Sequence, residues 1–244
     1  MFKVGIGLDA APVLWELDDM ARRQVPFARV LMATRLAKRV KKGMIPVMKT
    51  RLDRPTPTTL NSLFTKAATT AGKPAEVYFK DSWTSGIPAD VYLQQAVAGG
   101  LRPHKRFEKA LIARGIMQSS EYAVPTAPFM NQYGNVSRGT MTKILSGLGA
   151  ASMRAGYQAN ATNSRRSNAK GNAHRYFSGE VDGSRAVWER VGKGDEVRPV
   201  FVFSASAPRY RTIFPFFKIG ENIVKANHAA EFAQAFADAR ASAR

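Results

Sequence analysis

There is no cysteine among the 244 residues. That absence excludes a disulfide framework, a thiolate zinc site and a cysteine nucleophile. The three histidines, His104, His174 and His228, stand far apart in the sequence, so the expectation is that no metal or other cofactor is held. No apolar run approaches the roughly 18–20 residues that span a bilayer. The opening "MFKVGIGLDAAP" has too short an apolar run, broken by Asp9, for a secretory leader. The expected place of synthesis and residence is therefore the cytoplasm, with no membrane partner.

Acids are the other scarcity: 18 Asp and Glu stand against 37 Lys and Arg, a formal net charge of +19. Such an excess attracts polyanions or acidic protein surfaces and opposes self-association until something neutralises it. Two stretches hold no acid at all. The first, Met20 to Leu52, carries Arg22, Arg23, Arg29, Arg35, Lys38, Arg39 and Lys42, while Val30, Ala33, Ala37 and Val40 recur at helical steps. This reads as a helix with an apolar face toward a core and cations on its other sides, either facing a polyanion or simply solvated. The second, Tyr122 to Gly179, has at its middle "QANATNSRRSNAKGNAHRYF", with little to bury. Residues 159–173 are expected to form a mobile basic arm, with Arg165, Arg166 and Lys170 as further polyanion-facing candidates.

The spacing predicts an amphipathic segment from Asp9 to Gln24, a helix from Pro26 to Lys42 ended by Gly43, and an extended Arg54 to Pro57. A hairpin follows, with strands over Leu60–Thr69 and Ala75–Lys80. Helices are expected over Ala89–Ala98, from after Pro103 through Arg114 with Gly115 in the left-handed cap, and from a Ser137 cap to about Leu148. The proline-punctuated "YAVPTAPFMNQYGN" reads as loop. Strands over Arg185–Val191 and Val197–Ala205 flank "GKGDE". In a final helix, Val224, His228, Phe232 and Phe236 form a stripe read as facing the core.

The fold class expected from this order is α+β: an antiparallel sheet with a long N-terminal helix and a C-terminal helix. Residues 1–86 and 184–244 would form the core domain, and 87–183 a helical and loop-rich insertion. One strand poses a packing question. In Val200-Phe201-Val202-Phe203 strict alternation sends valines to one face and phenylalanines to the other. Both faces then need cover.

No motif points to catalysis. "VGKGD" lacks the length and the Lys-Ser/Thr ending of a phosphate loop and reads as a hairpin turn, and "GIG" at Gly5 to Gly7 lacks a third glycine. There is no Gly-x-Ser-x-Gly elbow or His-Glu-x-x-His, so the chain is expected not to be an enzyme.

Several segments carry a resemblance: "VPFARVLMATRLAKRV" (Val25–Val40), "RPTPTTLNSLF" (Arg54–Phe64), "YLQQAVAGGLRPHKRFEKAL" (Tyr92–Leu111), "QYGNVSRGTMTKILSGLGA" (Gln132–Ala150) and "VWERVGKGDEVRPVFVFSASAPRYRTIFPFF" (Val187–Phe217). Together they resemble head-tail joining and tail-completion proteins of tailed phages and prophages and, more distantly, minor tail protein Z. The resemblance implies a virion structural protein of the neck or tail, made in the host cytoplasm. It would form a homo-oligomeric ring and bind portal, adaptor or tail proteins. Trp188, Arg190, Arg209, Tyr210 and Arg211 are the candidate protein-interface residues, as aromatic and arginine anchors. The alternative is a non-specific DNA-binding or DNA-ejection accessory of the particle.

Overall fold

The acid-free N-terminal segment forms the helix its spacing predicts and carries it further. The computed structural model describes residues 11–82, 86–150, 165, 175–192 and 196–242. Over these the chain is α+β, with a long N-terminal helix, antiparallel sheets and a C-terminal helix. It divides into two units: Met1–Val97 with Ile213–Arg244, and Ala98–Thr212. An inserted unit is therefore present, but its boundaries are not the expected 87 and 183.

In the first unit, α1 (Ala11–Asp19) passes through a π-helical turn at Met20–Gln24 directly into α2 (Val25–Arg51). The expected stop at Gly43 is corrected: the helix continues through Gly43 and Pro46. Gly43 serves close approach rather than termination, because a Cβ there would stand 2.8 Å from Ile223 Cδ1. Pro46 denies the helix its bond to the Lys42 carbonyl, and the burial of Met44 and Met48 on either side holds the turn in place.

The final helix, here α7 (Phe216–Ser242), packs antiparallel on α2: Gly43 meets Ile223, Arg39 meets Glu231 and Arg35 meets Asp238. Ala28, Ala235 and Ala239 lose all their exposure at one end of this pair. The buried face of α7 thus runs through Ile223, Glu231, Ala235 and Ala239, and the expected core stripe is corrected. Val224, His228 and Phe232 are exposed, and only Phe236 of the four packs against the alanine cluster. Small residues win the interface because they let two backbones come close, whereas phenylalanine at those positions would hold them apart.

After α2 comes the short α3 (Pro57–Leu60), whose Thr56 cap accepts from the Thr59 N–H at 3.1 Å. Strands β1 (Leu63–Lys66) and β2 (Glu76–Phe79) then form the expected hairpin, shorter than predicted, in the register Leu63↔Phe79 to Lys66↔Glu76. Its inner face, with Leu63, Val77 and Phe79, joins Met44, Met48 and Phe214 in a core that α4 (Ala89–Ala98) completes through Ala89 and Leu93.

The second unit opens with β3 (Gly100–Leu101), which pairs with β8 (Arg209–Tyr210). Helix α5 (Arg106–Ala113) ends at Gly115 with φ +68°, the left-handed cap that was expected. Next come β4 (Tyr122–Pro125), a 3-10 turn at Ala127–Phe129, and α6 (Arg138–Gly147), capped by Ser137 as predicted. Strands β5 (Tyr176–Val181), β6 (Ser184–Arg190) and β7 (Val197–Ser204) complete an antiparallel four-stranded sheet in the order β4-β7-β6-β5. Two expectations are corrected here. Tyr122–Pro125 is strand rather than loop, its proline tolerated because β4 is an edge, and β5 pairs with β6 across Asp182-Gly183, both at positive φ. These pairings tie 122–125 and 176–181 to β6 and β7, which moves the domain boundary.

The packing question resolves through a bulge. Register steps from Val187↔Phe201 to Trp188↔Pro199, so Val200 has no residue opposite. Alternation fails there, and both Val200 and Phe201 enter one core with Leu111 and Ile144, where the Phe107 ring lies 4.7 Å from that of Phe201. Cover for the Val200 and Phe201 side chains of β7 comes from α5 and α6 of its own unit.

Candidate functional site

Cations dominate the surface, and the structure separates those that are used internally from those that are not. Arg22 and Arg23 pair with Asp18 and Asp19 one helical turn back, at 2.7 and 3.3 Å. Arg35 reaches Asp238 at 2.6 Å, and Arg39 Nε donates to Glu231 at 2.8 Å. These last two hold α2 to α7, so four of the expected polyanion-facing residues have acidic partners within the chain. Arg29, Lys38 and Lys42 are exposed, with no ion pair among the described residues. Arg165 is exposed, whereas Arg166, Lys170 and the rest of the expected arm at 159–173 lie outside the described residues, as do residues 193–195 of the β6–β7 turn.

The expected protein-interface residues fall on two elements. Trp188 is corrected as an exposed anchor: it is buried in β6, and its Nε1–H donates to the Gly179 carbonyl at 3.0 Å. A large ring packs best inside when its one donor finds a backbone acceptor. Arg190, at the end of the same strand, lies over the Phe177 ring at 4.4 Å. Arg209, Tyr210 and Arg211 are exposed together at the β3–β8 ribbon, where Leu101 faces Arg209 in register and is itself exposed.

The buried carboxylates have structural work. Glu108 accepts two bonds of 2.7 Å from Arg102, one of 2.5 Å from the Lys105 N–H and one of 3.0 Å from the Ala123 N–H. Glu189 lies between Arg175 and Arg198, at 2.6 and 2.7 Å. Glu121 pairs with Arg185 at 2.6 Å. Burial pushes the Glu108 and Glu189 carboxyls up, but Arg102 with the Lys105 and Ala123 N–H groups at Glu108, and Arg198 with Arg175 at Glu189, outweigh it and hold both below the ordinary value of 4.5. Among the described residues no group of three His, Cys, Asp or Glu side chains could hold a metal ion.

Two surfaces of the first unit were not singled out by sequence reasoning. One is an apolar groove of about 380 Å³ where α2, the approach to β2 and the start of α7 meet. Ala33, Ala37, Val40, Val77 and Gly220 lie in it, and at its rim Phe217 is 78% exposed. The other is the outer face of the β1–β2 hairpin. Phe64 and Tyr78 are cross-strand partners there, with ring centroids 6.3 Å apart. Lys41 and Lys80 hold Nζ at 5.4 and 5.5 Å from the Phe64 ring, and Lys66 at 4.8 Å from that of Tyr78. The signal for it was present: Phe64/Lys66 and Tyr78/Lys80 are spaced by two, which puts an aromatic and a lysine on one face of each strand.

These observations define a two-unit α+β protein with an apolar groove and an aromatic, lysine-flanked hairpin face on its first unit. Compared with known proteins, the chain matches no family model, no curated protein and no solved structure.

Proposed function

We propose that the chain is a structural protein of a tailed-phage particle, placed at the head-tail junction or in the tail. It assembles around the tail axis by contacts with copies of itself and with portal, adaptor or tail proteins. The observation that carries this reading is the open groove of the first unit with Phe217 standing 78% exposed at its edge. An apolar groove with a bare phenylalanine at its rim marks an interaction site, and a subunit buries such a patch on assembly. The sequence resemblance to head-tail joining and tail-completion proteins supports the same reading.

The test is an imaging reconstruction of particles grown with this gene intact or carrying Phe217→Asp. Symmetric density fitting the α2–α7 pair is expected in the intact particle's neck or tail. The variant is expected to fold, because Phe217 is so exposed, and to be missing from particles. No density in the intact particle rejects the role, and normal incorporation of the variant rejects the groove as its contact.

A second reading, non-specific contact with DNA phosphates, is favoured by the exposed Arg29, Lys38 and Lys42 on an acid-free helix. Duplex binding that does not weaken between low and moderate salt excludes it.

A further inference from the structure

We propose that the outer face of the β1–β2 hairpin binds single-stranded nucleic acid, with unpaired bases on Phe64 and Tyr78 and phosphates on Lys41, Lys66 and Lys80. The hairpin's inner face already supplies the core through Leu63, Val77 and Phe79, so its outer face is under no packing demand to be apolar. A solvated strand face is ordinarily polar. Here Phe64 is 38% exposed, directly opposite Tyr78, and the two rings are tilted by 38°. Three ammonium groups stand within 5.5 Å of their ring centroids.

This pairing of ring and cation is what a single strand requires, because every base has a π-face to stack and every nucleotide brings a phosphate. A duplex hides its base faces, so it can meet the lysines but not the rings. The ammonium–ring contacts seen in the free chain are of the exposed, weaker kind and give way to a base, after which the flexible lysine stems turn to phosphate. The charge of the chain, +19, favours the same partner. Glu76 is the opposing feature: it shares this face and holds Lys66 at 3.1 Å. Asp81, close enough to act on Lys66, opposes it as well. A strand must compete with these carboxylates, so removing one should strengthen binding.

The experiment is fluorescence anisotropy on the full chain with labelled dT20, rU20 and a duplex of equal length. At least one single strand is expected to bind, and the preference between dT20 and rU20 assigns the site to DNA or RNA. Phe64→Leu with Tyr78→Leu keeps the face apolar and is expected to weaken single-strand binding at least about 30-fold, the loss of two stacked bases, while duplex binding holds. Glu76→Gln is expected to act in the opposite direction, which keeps the test decisive should the double variant misfold. Each lysine changed to glutamine should lower the salt slope for single strands by about 0.7. Failure of both single strands to bind at low salt overturns the proposal. So does wild-type affinity in a folded leucine variant, an equal loss for duplex and single strand, or no gain from Glu76→Gln. The site is independent of the assembly reading: particle reconstruction bears only on the latter, and dT20 or rU20 binding only on the former.

Discussion

Replacing Glu108 by alanine is expected to destabilise the 98–212 unit by about 3–5 kcal/mol, the cost of leaving one partner of a buried ion pair alone. Glu108 is 1% exposed and the Arg102 side chain 10%, so the orphaned guanidinium cannot turn to water without moving the loop that carries it. Two backbone donors are stranded at the same time. The Lys105 N–H opens α5 and the Ala123 N–H belongs to β4, so one carboxylate joins a helix start to a sheet edge. Glu108→Gln, which retains an acceptor oxygen, should fall between wild type and alanine. Urea unfolding followed by hydrogen exchange of the β4, β6 and β7 amides checks this, and an alanine variant within 1 kcal/mol of wild type refutes it.

Acid should act on the same joints. Glu108 and Glu189 both titrate below 4.5 in the folded chain, so the unfolded chain takes up their protons first as the pH falls. Their contribution to stability is complete above about pH 4.5 and declines as the pH drops through their folded-state values. The midpoint of urea unfolding for the 98–212 unit should fall across that window. In Glu108→Gln the decline should be shallower, because one of the two protons is no longer taken up.

How much of this was legible in the sequence depended on the range of the interaction that fixes each element. Ala89–Ala98, the Ser137 cap and the Gly115 terminus were readable because the signal lies within one helical turn of its effect. Gly43 was misread because its cause lies in Ile223, far along the chain. The β4 strand was hidden by Pro125, whose tolerance depends on an edge position that only the strand order reveals. The β5–β6 hairpin was within reach, since Asp182-Gly183 is a strong two-residue turn signal. The strand before it was passed over because it emerges from a polar, acid-free stretch. Of the candidate sites, the charge of α2 was plain, but which arginines it spends on α7 was not. Arg35 and Arg39 find their acids about two hundred residues away.

That same long-range pairing makes a stringent test of the first unit. Ala235→Phe is expected to cost about 1–3 kcal/mol by overpacking, because Ala235 meets Ala28 and Ala239 where all three have lost every trace of exposure. Phe232→Ala removes a much larger side chain, yet should cost only about 1 kcal/mol, the worth of an exposed ring pair. Phe232 is 36% exposed, and its ring stacks on Phe236 at 6.1 Å rather than entering the core. Hydrophobicity alone predicts the reverse order, with the phenylalanine stripe as the packed face. Urea midpoints of the two variants decide between them: a larger loss in Phe232→Ala would return the stripe to the interface. A larger loss in Ala235→Phe would show that α2 and α7 are held by close backbone approach. Their side-by-side ion pairs, Arg35 with Asp238 and Arg39 with Glu231, would then set the register of a contact that small residues make possible.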